Sequence, residues 1–159
     1  MRQAAYGPAQ RRRVILVGAV FPLVLAAAGA SLLLAWAPRL PADIVVQWRG
    51  DSPSSVQPLP LVTAGLLVPL IVGAIGIVAT LSLTDDAGRN RGRLYIALAV
   101  AVATTATVAL VASVGLQLDG ASTTALEVGR RALLGCALAL PTATLAFLVT
   151  PRSRGPAAQ

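Results

Sequence analysis

The sequence predicts an all-α membrane protein, a bundle of four transmembrane helices with a short extracytoplasmic loop strand between helices 1 and 2. Of its 159 residues, 56% are hydrophobic and only 12% are charged, and the mean hydropathy is +0.76. In soluble domains about a quarter of all residues are charged. The charges are also clustered, which leaves four long uncharged runs, at residues 14–38, 52–84, 94–118 and 132–151. Each run can cross a hydrocarbon core of about 30 Å, which takes roughly 20 helical residues.

The elements follow from these runs once the Pro- and Ser-rich start of the second run is set aside. Helices are predicted at residues 14–36, 60–83, 94–116 and 132–149. The chain then divides into a cytoplasmic basic tail (1–13), a transmembrane domain (14–150) and a cytoplasmic tail (151–159). The loops are predicted at 37–59 outside, 84–93 inside and 117–131 outside. No stretch remains for a soluble domain of ordinary size.

A secretory signal peptide is the alternative for the first helix. Arg11 to Arg13 form a basic n-region, and Ala35-Trp36-Ala37 is similar to a cleavage sequence. However, the apolar run is about 23 residues long, whereas that of a signal peptide has roughly 7 to 15. Pro38 would also follow the cut directly and hinder cleavage. These details favour an uncleaved membrane anchor.

The arginines predict the orientation, because short cytoplasmic segments carry an excess of basic residues. With a cytoplasmic N-terminus, nine arginines lie inside and four lie outside. The outer four are Arg39, Arg49, Arg130 and Arg131. Both termini are therefore expected in the cytoplasm.

The sequence lacks the residues that metal sites, ion-coupled transport and catalysis usually require. The chain has no histidine and a single cysteine, Cys136, which is predicted to be a small core residue. Zinc and haem sites thus lack a ligand set, and we expect no cofactor or metal. The four predicted helices contain no charged residue, which argues against ion-coupled transport. Asp119 and Glu127 are the one candidate acid pair, and catalysis by them would require the outer loop to bring them together. We therefore expect no catalytic residues and no enzyme.

The net charge of +7 raises the question of nucleic acid binding. The arginines flank apolar runs and do not form a basic face laced with aromatic residues, as nucleic acid binders require. Membrane lipid is the expected neighbour of these arginines, and no nucleic acid partner is predicted.

Inside the predicted helices the notable residues are prolines, hydroxyls and small side chains. Pro22, Pro69 and Pro141 are expected to bend three helices, because proline removes a helix hydrogen bond. The hydroxyls, most densely Thr104, Thr105 and Thr107, are expected to serve packing. A ridge of small residues would let another helix approach closely. This ridge is Ala97, Ala101, Thr105, Ala109 and Ser113.

The stretch "LPADIVVQWRGDSP", residues 40–53, is neither apolar span nor tail. Its alternation predicts a short strand that directs Ile44 and Trp48 one way and Gln47 and Arg49 the other. One interpretation is a strand packed onto the helix ends, with Trp48 at headgroup level. The other is a recognition loop that contacts a ligand. Its candidate residues are Asp43, Gln47, Trp48, Arg49 and Asp51.

The same stretch carries a family resemblance. Leu40, Pro41, Asp43, Ile44, Trp48 and Gly50 are similar to the core loop of a bacterial membrane domain of unknown function, also found at the N-terminus of SdpI-type immunity proteins. Gln47 stands where that family typically has histidine, and "DSPSSVQP" replaces its usual turn. The resemblance implies a bacterial plasma-membrane protein with an extracytoplasmic recognition loop, which serves toxin immunity or signalling. A membrane-protein partner or a secreted peptide would then be the ligand.

Two functions are therefore carried forward. The first is a non-catalytic multi-pass protein with a recognition loop, immunity-like or a signalling accessory. The alternative is an oligomeric passive pore, or an accessory subunit of a transporter, assembled through the small-residue ridge. A pore requires a continuous polar stripe, and only the third predicted helix has the beginning of one.

Overall fold

The computed structural model describes residues 8–49, 52–82, 86–120 and 124–150. The helices are α1 (Pro8–Ile15), α2 (Phe21–Trp36), α3 (Leu59–Ala64), α4 (Leu67–Ser82), α5 (Asp86–Gly115) and α6 (Ala125–Val149). The strands are β1 (Asp43–Arg49) and β2 (Ser52–Pro58). A π-helical turn, Leu16–Val20, joins α1 to α2, and short 3-10 turns lie at Ala37–Arg39 and Leu118–Gly120.

Four helical segments are long and apolar enough to cross a membrane, as predicted. We call them the first to fourth spans: Pro8–Arg39, Leu59–Ser82, Arg91–Gly115 and Ala125–Val149. Large apolar side chains cover their outer surface, with Val78 69% and Leu140 73% exposed, whereas Gly73 and Thr80 are buried. An apolar exterior around an interior of small residues suits a bundle surrounded by lipid.

The helices extend further than the apolar runs that predicted them. The segments 84–93 and 117–131 were predicted as loops, but α5 begins at Asp86 and α6 at Ala125. Hydropathy marks the part of a helix that suits a membrane, and polar side chains continue the helix beyond it. The predicted ranges themselves contain no charged residue, and charges such as Arg93 and Glu127 lie near the ends of the longer helical segments.

The three prolines have three different outcomes. Before Pro22 the helix widens into the π-helical turn, where the Phe21 N–H donates to the Leu16 carbonyl. Before Pro69 the second span breaks, with turns at residues 65–66 between α3 and α4. Pro141 lies inside α6, which continues past it. The predicted disruption thus occurs at two of the three sites.

Helix α5 is the centre of the bundle and packs against α2, α4 and α6. The closest approaches occur at glycines. A methyl group added at Gly73 would lie 2.6 Å from the Gly18 carbonyl oxygen, and one at Gly135 would lie 3.0 Å from the Thr105 carbonyl oxygen. The predicted close approach to the small-residue ridge is thus confirmed at Thr105, where the approaching helix is α6.

The loop between the first and second spans forms a β-hairpin, where the sequence analysis expected only one strand. β1 and β2 pair antiparallel, with Asp43 opposite Pro58 and Arg49 opposite Ser52, and the register is irregular on both sides of Gln47. Ile44 is only 1% exposed and belongs to the apolar core. The buried core residues at this end are Ala26, Leu33, Ile44, Val62, Leu66 and Val114. The hairpin is therefore part of the folded core.

Cys136 does not lie in the core. Its side chain is exposed on the surface of α6, while the neighbouring Gly135 faces α5. The prediction failed because composition alone does not tell which face of an apolar helix is covered by other helices.

Candidate recognition site

The hairpin brings four of the five candidate recognition residues together on one strand. Asp43, Gln47 and Arg49 are exposed, and Trp48 is half-buried between the last two. Asp51 lies outside the described residues. Near its tip, β1 thus presents a polar row outward while the indole of Trp48 turns partly inward.

A buried glutamine holds β1 in place. The Gln117 side chain, 3% exposed, accepts a hydrogen bond from the Val45 N–H at 2.8 Å and donates one to the Val45 carbonyl at 3.0 Å. Its amide thereby takes the place of a neighbouring strand. Composition and alternation do not predict this role for Gln117, although a lone glutamine near the end of a long apolar run is a signal of a specific partner.

At this end of the bundle, an ion pair joins the last residue of the first span, Arg39, to Asp119 in the turn that follows the third span. The Nε and Nη2 groups of Arg39 donate to the two carboxylate oxygens of Asp119. This hydrogen bonding and the positive charge of Arg39 lower the pKa of Asp119. Asp119 adopts a left-handed backbone conformation with φ of 59°, which Asp and Asn tolerate better than most residues.

Glu127 caps the start of α6 and does not take part in this ion pair. The Thr124 hydroxyl accepts a hydrogen bond from the Glu127 N–H, and the Glu127 carboxylate accepts one from the Thr124 N–H. This capping box begins α6 by pairing backbone donors that a helix start leaves free. Asp119 and Glu127 thus each have their own partner, and the structure shows no contact between the two acids among the described residues.

A cavity of about 300 Å³ lies beneath the hairpin. Trp48 and Val46 of β1 line one side, and Leu110 of α5 and Val128 and Ala132 of α6 line the others. The space is apolar and lies directly behind the exposed row of Gln47 and Arg49. A partner that contacts the row could therefore insert an apolar side chain next to Trp48.

Both edges of the hairpin carry features that hinder pairing with another strand. On β1 the amide of Gln117 occupies both backbone groups of Val45. On β2, Pro53 and Pro58 supply no N–H, and prolines are a common protection of edge strands.

The threonine hydroxyls inside the bundle mostly bond to their own helices. Thr104 donates to the Val100 carbonyl at 2.9 Å and lies 3.3 Å from the Thr142 hydroxyl. Among the described buried side-chain oxygens and nitrogens, Thr107 Oγ1 alone has no hydrogen-bond partner. These bonds to helix carbonyls are compatible with the packing role that the sequence predicts for the hydroxyls.

At the opposite end of the bundle, Arg93 is 4% exposed. Its guanidinium lies 4.0 Å from the centre of the Phe147 ring, and it donates two hydrogen bonds to the Phe147 carbonyl. The side chain thus ties α5 to the last turn of α6, where helix carbonyls need donors.

Comparisons of the chain with models of protein families, with curated proteins and with solved structures find no match. The resemblance to SdpI-type immunity proteins therefore stays a prediction. Function has to be argued from the geometry of the site.

Proposed function

We propose that this chain is a multi-pass protein of a bacterial plasma membrane whose hairpin recognises a membrane-protein partner or a secreted peptide on the extracytoplasmic side. It acts without catalysis, as an immunity-like protein or a signalling accessory. The observation that carries the proposal is a hairpin anchored to the bundle by Gln117 that still presents Gln47 and Arg49 to the outside.

Anchoring matters because recognition is strongest when the contacting groups are held in place before binding. Ile44 fixes β1 from below, and Gln117 fixes its edge. The resemblance of "LPADIVVQW" to the loop of SdpI-type proteins points the same way.

The distribution of charge supports cytoplasmic termini. By chain order, the hairpin end carries four arginines and four acids, whereas the segments at the other end carry nine arginines and two acids. All of the net charge of +7 thus belongs to the end opposite the hairpin. Such an asymmetry is typical of a membrane protein whose arginine-rich end faces the cytoplasm.

Orientation is tested by cysteine labelling in intact cells, with Cys136 replaced by Ala. A cysteine at Ser54, which is exposed on β2, or at Ser122 should react with an impermeant maleimide added outside. Cysteines at Ala87 and Ala158 should react only after the membrane is permeabilised. The reverse pattern would refute the proposed placement of the hairpin.

Recognition is tested by photo-cross-linking from a benzoylphenylalanine placed at Ser52, opposite Arg49 in the hairpin. Replacing Gln47, Arg49 and Asp51 together by Ala should abolish the adduct and change thermal stability by no more than about 0.5 kcal/mol, as surface substitutions usually do. A benzoylphenylalanine at Ser82 is the control for unspecific adducts.

The matched variant is Trp48→Ala, which opens the cavity and should lower stability. A triple variant that melts like Trp48→Ala, or that keeps the adduct, would remove the polar row as the recognition surface.

The pore or accessory-subunit alternative has weaker support. It required the small-residue ridge of α5 as an assembly surface, and α6 of the same chain already packs against that ridge at Thr105 and Ala109.

A further inference from the structure

A long apolar groove runs between the first and fourth spans, at the end of the bundle away from the hairpin. It encloses about 470 Å³. Val17 and Val20 form one wall, Leu145 and Val149 form the other, and Val100 of α5 forms the floor. The lining extends from Leu16 to Val24 on the first span, which is about 12 Å of helix.

The groove requires an apolar occupant. Thr142 contributes the one hydroxyl of its lining, and that hydroxyl already donates within α6, to the carbonyls of Leu138 and Ala139 at 3.0 Å. The only hydroxyl hydrogen of the groove lining is therefore already engaged within α6. An elongated, largely apolar groove that is open to the side of a membrane bundle suits a lipid acyl chain.

An exposed cation lies at one mouth of this groove. Arg13 is exposed and precedes Leu16 and Val17 by one helical turn, so it lies on the face of the helix that lines the groove. Arg93 lies at the same end of the bundle, but it is 4% exposed and donates to the Phe147 carbonyl, so the exposed Arg13 is better placed than Arg93 to meet a headgroup. Among the described residues this end of the bundle also carries the exposed Arg11, Arg12 and Arg91, so an anionic headgroup is favoured there.

We propose that the groove binds an anionic phospholipid, with an acyl chain between the first and fourth spans and the phosphate at Arg13. The arginine guanidinium is well suited to this contact, because it donates several hydrogen bonds to phosphate oxygens in a fixed geometry. This site is independent of the hairpin and of the partner that the hairpin recognises.

Native mass spectrometry of the full-length protein in detergent, titrated with dioleoyl phosphatidylglycerol or dioleoyl phosphatidylcholine, tests the site. Phosphatidylglycerol should bind at least about fivefold more tightly, which corresponds to one arginine contact of about 1 kcal/mol. Arg13→Gln should remove that preference, while Arg131→Gln at the hairpin end should keep it. Equal affinity for the two lipids would overturn the proposal.

Filling the groove separates this site from lipid around the rest of the bundle. Val20→Trp and, from the opposite wall, Leu145→Trp should each lower phosphatidylglycerol binding about tenfold or more. Leu23→Trp and Leu148→Trp, at exposed positions outside the groove lining, should leave it unchanged.

Two results would contradict the lipid site. Groove variants that bind lipid as their controls do would show that the groove is not the binding site. Groove variants that change the oligomeric state without changing lipid binding would show that the groove holds a helix of a second copy. Because the two groove variants alter different spans, the test remains possible if one of them does not fold.

Discussion

The hairpin end and the interior of the bundle are held together by different interactions. At the hairpin end, side chains reach from one element to another, as Gln117 does to Val45. In the interior, backbone approaches backbone at small residues, as Gly73 does at the Gly18 carbonyl. Thr104, unlike Gln117, donates its hydrogen bond to a carbonyl of its own helix, that of Val100.

The difference follows from the solvent around each region. Apolar side chains gain little by leaving lipid for another helix, so spans associate mainly through close packing and tolerate an added atom poorly. At an end, water competes for polar groups, so a hydrogen bond matters most where its partner is buried. An atom added inside the bundle should therefore lower the free energy of unfolding most. The loss of an exposed charge at the end of the bundle should lower it least.

The largest effect is expected at Gly73. In Gly73→Ala the new methyl group meets the Gly18 backbone oxygen, which cannot turn away as a side chain can, so the free energy of unfolding should fall by about 3 kcal/mol. Gly129→Ala is the control, since nothing lies within 4 Å of its added methyl. It should stabilise α6 by about 0.5–1 kcal/mol. Unfolding in mixed micelles measures both, and equal effects would contradict the close crossing.

The next effect is expected at Gln117. Gln117→Met keeps the volume of the side chain but leaves the N–H and carbonyl of Val45 without their partner, which should cost about 1–2 kcal/mol. Gln47→Met, at an exposed position of the same strand, should change the free energy of unfolding by less than about 0.5 kcal/mol. If the two variants unfold alike, Gln117 does not anchor the hairpin.

A smaller change in stability, but a visible change in shape, is expected at Pro69. Pro69→Ala restores a backbone donor that can bond to the Gly65 carbonyl, so α3 and α4 should join into one straighter helix. Spin labels at Leu61 and Ile75, with Cys136 replaced, should move apart in pulsed electron resonance measurements. Membrane insertion should persist, because it depends on summed hydrophobicity. An unchanged distance would mean that the break does not depend on the proline.

The smallest effect is expected at Asp119, whose side chain is 61% exposed. Its pKa is lowered in the folded state, so the ion pair stabilises the protein above the ordinary carboxyl pKa of about 4. That contribution is lost as the pH falls through the lowered folded-state pKa. Asp119→Asn tolerates the left-handed backbone and lacks the charge. Melting temperatures measured from pH 7 down to pH 2 should show this loss of stability in the original chain. If Asp119→Asn loses stability over the same pH range by the same amount, the loss does not come from the Arg39–Asp119 ion pair.

Much of the fold was predictable because it depends on local properties. The length of an apolar run decides whether a helix can cross a membrane, so hydropathy located all four spans. Helix ends were less predictable, since the capping box at Thr124 begins α6 before its apolar run. β1 was visible from its alternation, whereas the serines and prolines of β2 concealed a strand.

The candidate site shows the same division. Alternation in the sequence by itself determined that Gln47 and Arg49 share a side of β1 and that Ile44 points elsewhere. Only the tertiary structure decided what anchors that strand, because Gln117 is 72 residues away from Val45 and Asp119 is 80 residues away from Arg39. It also decided that Cys136 faces outward and that the groove beside Val20 stays open. Local patterns set which faces a segment has, and the packing of distant segments sets which of these faces are covered.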